Sequence, residues 1–369
     1  MKLLLNQSLT HKLPDTLVQD EKLNKMKTYD IDRNHIAVVA PSSPAALIGP
    51  AVHEQAMRRI NTEFGFPPVE YPSVKEKLSA EKRANDINNA SRQKNCKAIF
   101  SVVGGNDAIT LLKNLDHSVL AKSVTPFVGY SDNTAIHNFL WKLGRTSYYG
   151  GSTQVQLGPG PSVDRIQSAS IKKILDRKGS LQLVKPRDYE VRGEDWQSPL
   201  ALTEVGPRAP YPEYLWAGER RTIRGRSWGG CVQTLLQLAV MNDLPTPRQL
   251  QGAILFLELS DEHLGDGNVL KLVRAFGESG YFHSVGAFLF GLPPYSSNQR
   301  GQRVASPSPG DAIRLLRAIS CEIANYNDRL PRVLGLPIGH LRPQYIIPYG
   351  GTIEVDGKRK TVTAFYEPQ

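Results

Sequence analysis

The stretch Thr125–Leu140, TPFVGYSDNTAIHNFL, decides how the rest of the chain is read. TPFVGY is short and largely apolar, as a buried strand is, and the apolar residues that follow recur at Ile136, Leu140 and Leu143, one face of a helix. A strand that turns through Gly129-Tyr130-Ser131 directly into a helix leaves Ser131 at the carboxyl edge of a sheet. That is the shape of a nucleophile elbow, in which a hydroxyl is exposed and the next backbone N–H points at a developing oxyanion. The second glycine usual in such a turn is missing, and Asn133 stands in its place. Serine is equally a favoured helix cap, and aspartate suits a first turn, so the residues alone leave both readings of Ser131 open. His137 falls inside this helix and is expected on its outer surface.

Working outward, the same alternation repeats. HIAVVAPSSPA (35–45) is an apolar strand ending in a turn, a helical run follows Gly49, FPPVEYPS (66–73) reads as a strand, and SAEKRANDINNASRQ (79–93) as a charged helix. CKAIFSVVGGND (96–107) is another strand ending in glycines, and AITLLKNLD (108–116) is expected to be a helix. Apolar strands alternating with helices predict a parallel sheet covered on both faces. The pattern breaks near residue 155, and residues 185–214 carry five prolines without clear periodicity, as a linker or functional loop would. A second unit is expected from about Leu215, with strands in GAILFLEL (252–259) and SVGAFLFGL (284–292) and helices near 232–240, 267–279 and 309–326. Residues 350–367 read as a β-hairpin with Asp356-Gly357 as its turn dipeptide.

The chain has 369 residues and a formal charge of +10. Its basic residues are scattered in short runs, such as GERRTIRGR (218–226) and DGKRK (356–360), which reads as a solvated surface rather than a nucleic-acid footprint. No apolar run approaches the ~20 residues of a spanning helix, and MKLLL is too short for a signal-peptide core, so a cytoplasmic protein is expected. The three cysteines, Cys96, Cys231 and Cys321, have neither disulfide nor zinc spacing.

Several further stretches could carry chemistry. Gly104-Gly105, between a strand and a helix start, would leave N–H groups open to an oxyanion, or form an ordinary turn. Glu258 closes an apolar run, where a carboxylate needs a partner such as a histidine, or else emerges into water. His340, on a loop after a Gly- and Pro-bounded strand, suits a general base, or is a surface histidine. Cys231 follows two glycines at a helix start, where a thiol pKa falls, and competes as nucleophile in a Cys231–His340 arrangement. Asp261, Glu262, His263 and Asp266 match no zinc or calcium spacing.

Taken in order, VVAPSSP (38–44), RANDINNA (83–90) with CKAIFSVVGGND, PFVGYSDNTAIH (126–137), YYGG (148–151), GRSWGGCVQTLLQL (225–238), ILFLEL (254–259) and LPIGH (336–340) with IPYGG (347–351) resemble the LD-carboxypeptidase family. The resemblance implies an α/β fold: an N-terminal parallel-sheet domain carrying the nucleophile elbow, and a smaller β-rich α/β C-terminal domain. It implies a serine peptidase with Ser131 as nucleophile, His340 as base and Glu258 as its orienting partner, and an oxyanion hole from the N–H groups of Asp132 and Gly105 or its neighbour. The expected partition is an irregular segment 1–34, a first domain 35–160, a linker and substrate loop 161–214, and a second domain 215–369.

The sequence departs from the family pattern at Cys231, where asparagine is common, and at Leu259, where an acidic residue is usual. Val103-Gly104-Gly105-Asn106 and RGEDW (192–196) are nearer the microcin immunity branch, which implies substrate contacts at Asn106 and stacking of a nucleobase on Trp196. The expected partners are a small peptide or peptidyl-nucleotide substrate and a second copy of the chain in a homodimer. No nucleic acid, membrane, metal or cofactor is expected. The departures leave room for a non-catalytic protein binding an anionic ligand in the same cleft.

Overall fold

The computed structural model describes residues 31–262, 264–294 and 309–367. The expected irregular segment therefore lies outside the described residues up to position 30, as does His263. In chain order the strands are β1 (His35–Val39), β2 (Pro68–Glu70), β3 (Cys96–Ser101), β4 (Phe127–Gly129), β5 (Ser147–Tyr149), β6 (Ser180–Gln182), β7 (Asp188–Glu190), β8 (Arg208–Pro210), β9 (Leu215–Ala217), β10 (Thr222–Cys231), β11 (Ile254–Glu258), β12 (Ala287–Gly291), β13 (Arg332–Leu336), β14 (Ile347–Tyr349), β15 (Thr352–Asp356) and β16 (Thr361–Phe365).

The first sheet has the order β14-β5-β4-β3-β1-β2. Its five N-terminal strands run parallel, and β14 returns from far down the chain to pair antiparallel with β5. Successive side chains of a strand face opposite ways, and here both faces are covered. Ile36 and Val38 enter a core that continues into the second sheet, while Ala37 and Val39 enter a separate one with Ile99, Ile136 and Leu140. Burial of each such branched side chain stabilises by about 1.5–3 kcal/mol. That is why β1 carries no polar alternation after its first residue.

The second sheet has eight strands, β6-β16-β15-β10-β11-β12-β13-β9. Strands β10 to β13 are parallel, and an antiparallel edge of β15, β16 and β6 closes one side. The fold is thus α/β with a parallel sheet in each half.

Several local expectations change. Residues 108–114 wind as a 3₁₀ helix, not an α-helix. The proline-rich stretch 185–214 is partly ordered, since β7 and β8 pair into a two-stranded ribbon. In the C-terminal hairpin Asp356 pairs with Thr361, so Asp356-Gly357 opens a longer loop instead of forming a two-residue turn. The Asp356 carboxylate accepts the N–H groups of Lys358 and Arg359, both at 2.9 Å, and Lys360 takes φ 54°.

His137 is buried, not on a surface. Its helix, Thr134–Lys142, lies between the first sheet and the second half of the chain, so it has no outer face along that turn: its neighbour Asn138 is bonded to Asp243 and to the Trp228 indole. The His137 ring contacts the Ser147 hydroxyl (2.7 Å) and the Gly129 carbonyl (2.8 Å) and stacks on Tyr349, and burial pushes its pKa down to about 3. It is a neutral structural group.

Candidate active site

The turn after β4 places Ser131 in the left-handed region, φ 64°. A residue with a Cβ is uncommon there, and such strain concentrates at functional turns. The hydroxyl caps no helix. The helix that follows has Asn133 at its N-cap, with no side-chain capping bond, and Thr134 Oγ1 donates to the Ser131 carbonyl at 2.6 Å. The Ser131 Oγ lies instead 2.9 Å from His340 Nε2.

His340 follows Gly339, which has φ 90°; a Cβ at position 339 would stand 2.7 Å from the Glu258 Cβ. Glycine is therefore required for the loop to bring the imidazole over the end of β11. There His340 Nδ1 lies 2.7 Å from Glu258 Oε2. Glu258 is 1% exposed, and its other oxygen, Oε1, accepts the Tyr149 hydroxyl at 2.6 Å. Burial acts to lower the His340 pKa, but the Glu258 charge and hydrogen bond, with Asp261 and Asp132 behind, reverse this and hold it above 6.5. The Tyr130 ring packs edge-on against the imidazole at 4.9 Å.

Asp132 is buried, and burial raises its carboxyl to about 6. It accepts the Ser42 hydroxyl and the Ala108 N–H (3.1 Å), and Ser42 Oγ in turn accepts the Asp107 N–H at 3.3 Å. This chain of bonds ties the Ser131 turn to the loops after β1 and β3, so that Gly104 packs on Ser131 and Gly105 packs on Ser42. Gly105 and Asn106 themselves open to solvent.

A cleft of about 290 Å³ lies above these groups, lined by Gly104, Gly105, Asn106, Ser131, Asp132, Trp196, Cys231 and His340, with Gln233, Asp261 and Glu262 on the far wall. Its walls come from the carboxyl ends of strands in both sheets, the usual position of a ligand site in parallel α/β folds. Trp196 is half-buried and also borders an adjoining hollow with Arg192 and Arg342. Arg342 is itself engaged by Asp164 (3.3 Å) and Glu190 (3.2 Å).

Cys231 lines the cleft but is 1% exposed. The expected lowering of its thiol pKa is overturned: burial, then the nearby Glu258 charge, pushes it well above the usual thiol value. It closes β10 with its N–H bound to Thr134 Oγ1 at 3.0 Å and its thiol donating to Gln233 Oε1. Leu259, the residue after Glu258, is buried in the core.

Among the described residues no group of three metal-ligating side chains converges, and no helix is long and apolar enough to cross a membrane. Sequence reasoning did not single out Ser42 or Tyr149. Tyr149 sits in the YYGG run, and its register opposite Gly129 is a consequence of strand pairing that no local pattern encodes.

Residues 36–150 match the LD-carboxypeptidase N-terminal domain, and residues 224–355 match the LD-carboxypeptidase C-terminal domain. A carboxypeptidase-named protein of Vibrio cholerae is 25% identical over 88% of this chain and 93% of its own. The microcin C7 self-immunity protein MccF of Escherichia coli is 23% identical over 77% of this chain and 78% of its own. A solved structure of MccF in complex with aspartyl sulfamoyl adenosine superposes with a TM-score of 0.75 at 22% identity, covering 90% of this chain and 97% of that one. Both halves of the chain carry the family's domains, and the chain belongs to the LD-carboxypeptidase family.

Proposed function

We propose that this chain is a serine-type peptidase that cleaves an amide bond through Ser131, His340 and Glu258. The observation that carries the reading is the unbroken relay from Ser131 Oγ through the imidazole (2.9 and 2.7 Å) to a buried carboxylate. His340 Nε2 takes the proton of the Ser131 hydroxyl as the oxygen attacks the carbonyl carbon. Glu258 holds the proton of Nδ1, so that Nε2 is the free base, and stabilises the imidazolium that forms. The tetrahedral oxyanion is met by the N–H groups of Asp132 and of the Gly104-Gly105 turn; each such donor is worth about 3–4 kcal/mol of barrier. The imidazolium then protonates the leaving amine, and water, deprotonated by the same imidazole, releases the acyl group from Ser131.

The substrate is an aminoacyl-nucleotide of the kind bound by MccF or a muropeptide. Trp196 across the cleft supports the first, as a flat partner for a base. The test is hydrolysis of aspartyl sulfamoyl adenosine and of a muropeptide tetrapeptide by the wild-type chain and by Ser131→Ala. Turnover that survives in Ser131→Ala removes the proposal. A chain that binds either compound but resists fluorophosphonate labelling is the non-catalytic binding protein instead.

A further inference from the structure

Besides the relay, one buried hydroxyl touches both of its ends. Tyr149 closes β5 and is 0% exposed. Its ring is held among Phe256 (5.2 Å), His137 (5.4 Å) and Tyr349 (6.3 Å), with Tyr130 at 6.4 Å, so the position of its oxygen is fixed by packing. That oxygen accepts the backbone N–H of Ser131 at 3.2 Å and donates its one proton to Glu258 Oε1 at 2.6 Å. Thr134 Oγ1, whose proton goes to the Ser131 carbonyl, lies 3.4 Å away.

We propose that Tyr149 is a positioning residue that couples the Ser131 turn, on the first sheet, to Glu258, on the second, and so sets the distance across which His340 works. The proposal rests on the serine-peptidase reading above. Three facts support it. The Ser131 N–H belongs to a residue with a positive φ, and a buried backbone donor needs an acceptor to keep that conformation. The phenol proton is the only side-chain donor to Glu258 Oε1 among the described residues, and a short bond to a carboxylate is the strong kind. Burial and the Glu258 charge raise the Tyr149 pKa well above 10, so the hydroxyl keeps its proton at every working pH.

The arrangement accounts for the placement of Glu258. Of its two oxygens, Oε2 faces the imidazole and Oε1 faces the phenol. With the phenol gone, the carboxylate can rotate, and its charge is no longer shared. The groups facing His340 would then be Glu258, Asp261 and Asp132 unmoderated, and the imidazolium would persist to higher pH.

The experiment uses the full chain and a fluorophosphonate, so that no knowledge of the natural substrate is needed. The second-order rate of Ser131 phosphonylation is followed between pH 5 and pH 10 for wild type, Tyr149→Phe, Glu258→Gln and the double variant. A lost hydrogen bond of this class predicts a rate roughly tenfold lower in Tyr149→Phe, with an acid limb displaced upward. Because Tyr149 acts through Glu258, the double variant is expected to be no slower than Glu258→Gln alone. Phe keeps the ring contacts, and the melting transition is recorded alongside. A wild-type rate and limb in Tyr149→Phe, or losses that add in the double variant, would overturn the proposal. So would a Tyr149→Phe chain without a cooperative melt, which would make the hydroxyl a requirement of the fold as a whole and not of the relay. A wild-type chain that resists labelling sinks the serine-peptidase reading and this inference with it, whereas labelled wild type with an unaffected Tyr149→Phe sinks this inference alone.

Discussion

Gly104 lies so close to Ser131 that a Cβ added to it would stand 2.6 Å from the serine Cβ and 2.9 Å from its Oγ. The glycine after β3 therefore does more than turn the chain: its missing side chain is the space the Ser131 turn occupies. Neither partner can yield easily, since Ser131 is already at φ 64° and Asp132 is bonded to Ser42 and Ala108. Gly104→Ala is expected to cost about 1–3 kcal/mol of stability, as overpacking does, and to lower Ser131 phosphonylation at least about tenfold by displacing Oγ from His340. Chemical denaturation and the labelling rate check the two effects; wild-type labelling with unchanged stability would mean the turn has room that these distances deny.

The His340–Glu258 pair fixes a pH dependence. In the proposed mechanism attack requires neutral His340, and its pKa lies above 6.5, so the acid limb of activity is expected above pH 6.5. Glu258→Gln removes the charge and leaves burial, which lowers the imidazole pKa, so the limb moves down even as the rate at neutral pH falls, by roughly 10³–10⁴. The stability sign runs the other way. A histidine with a raised folded pKa stabilises the fold fully below its unfolded value, and the contribution is lost as pH rises through the folded value. The melting temperature should therefore decline from pH 6 upward in wild type, and this part of the decline should be missing in Glu258→Gln. An acid limb at or below pH 6 in the wild-type chain contradicts the assignment.

What the sequence made legible, and what it did not, follows the range of the interactions. The strand-turn-helix around Ser131 is local: strand composition, Gly129 and the spacing of Ile136 and Leu140 suffice, and those two residues do pack in the core the spacing implies. The end of β11 is likewise local, because an apolar run can close on a carboxylate only if something receives it. Around the site the failures are long-range. His137 is polar at a position covered by a residue more than two hundred positions later, Tyr349, whose ring stacks on it at 5.2 Å. Cys231 sits at a helix start, which lowers a thiol pKa, but burial and the Glu258 charge outweigh that effect. Ser42 and Tyr149 contribute hydroxyls whose partners lie 90 and 109 positions away.

Cys231 gives a test with a built-in control. It is buried with a raised pKa, whereas Cys321 is exposed. Iodoacetamide at neutral pH is expected to modify Cys321 and to leave Cys231 and hydrolytic activity intact, because only the thiolate reacts and buried thiols are inert. Peptide mapping by mass spectrometry with a parallel activity assay decides the matter. Inactivation that follows alkylation of Cys231 would revive the cysteine-nucleophile reading and remove Ser131 from the role.

Trp196 separates the two candidate substrates. It stands on the wall of the cleft that holds Ser131 and His340, and it is anchored where a Cβ on Gly49 would come within 2.9 Å of its own Cβ. Stacking of a base on an aromatic side chain contributes about 1–3 kcal/mol, so Trp196→Ala is expected to raise KM for aspartyl sulfamoyl adenosine roughly tenfold, with kcat within about threefold. Trp196→Phe, which keeps a flat face, should recover most of that loss. A muropeptide offers no base, so its KM should not respond to either variant. Equal losses on both substrates would instead mean that the side chain holds its loop against Gly49, and the nucleotide reading would lose the residue that favours it.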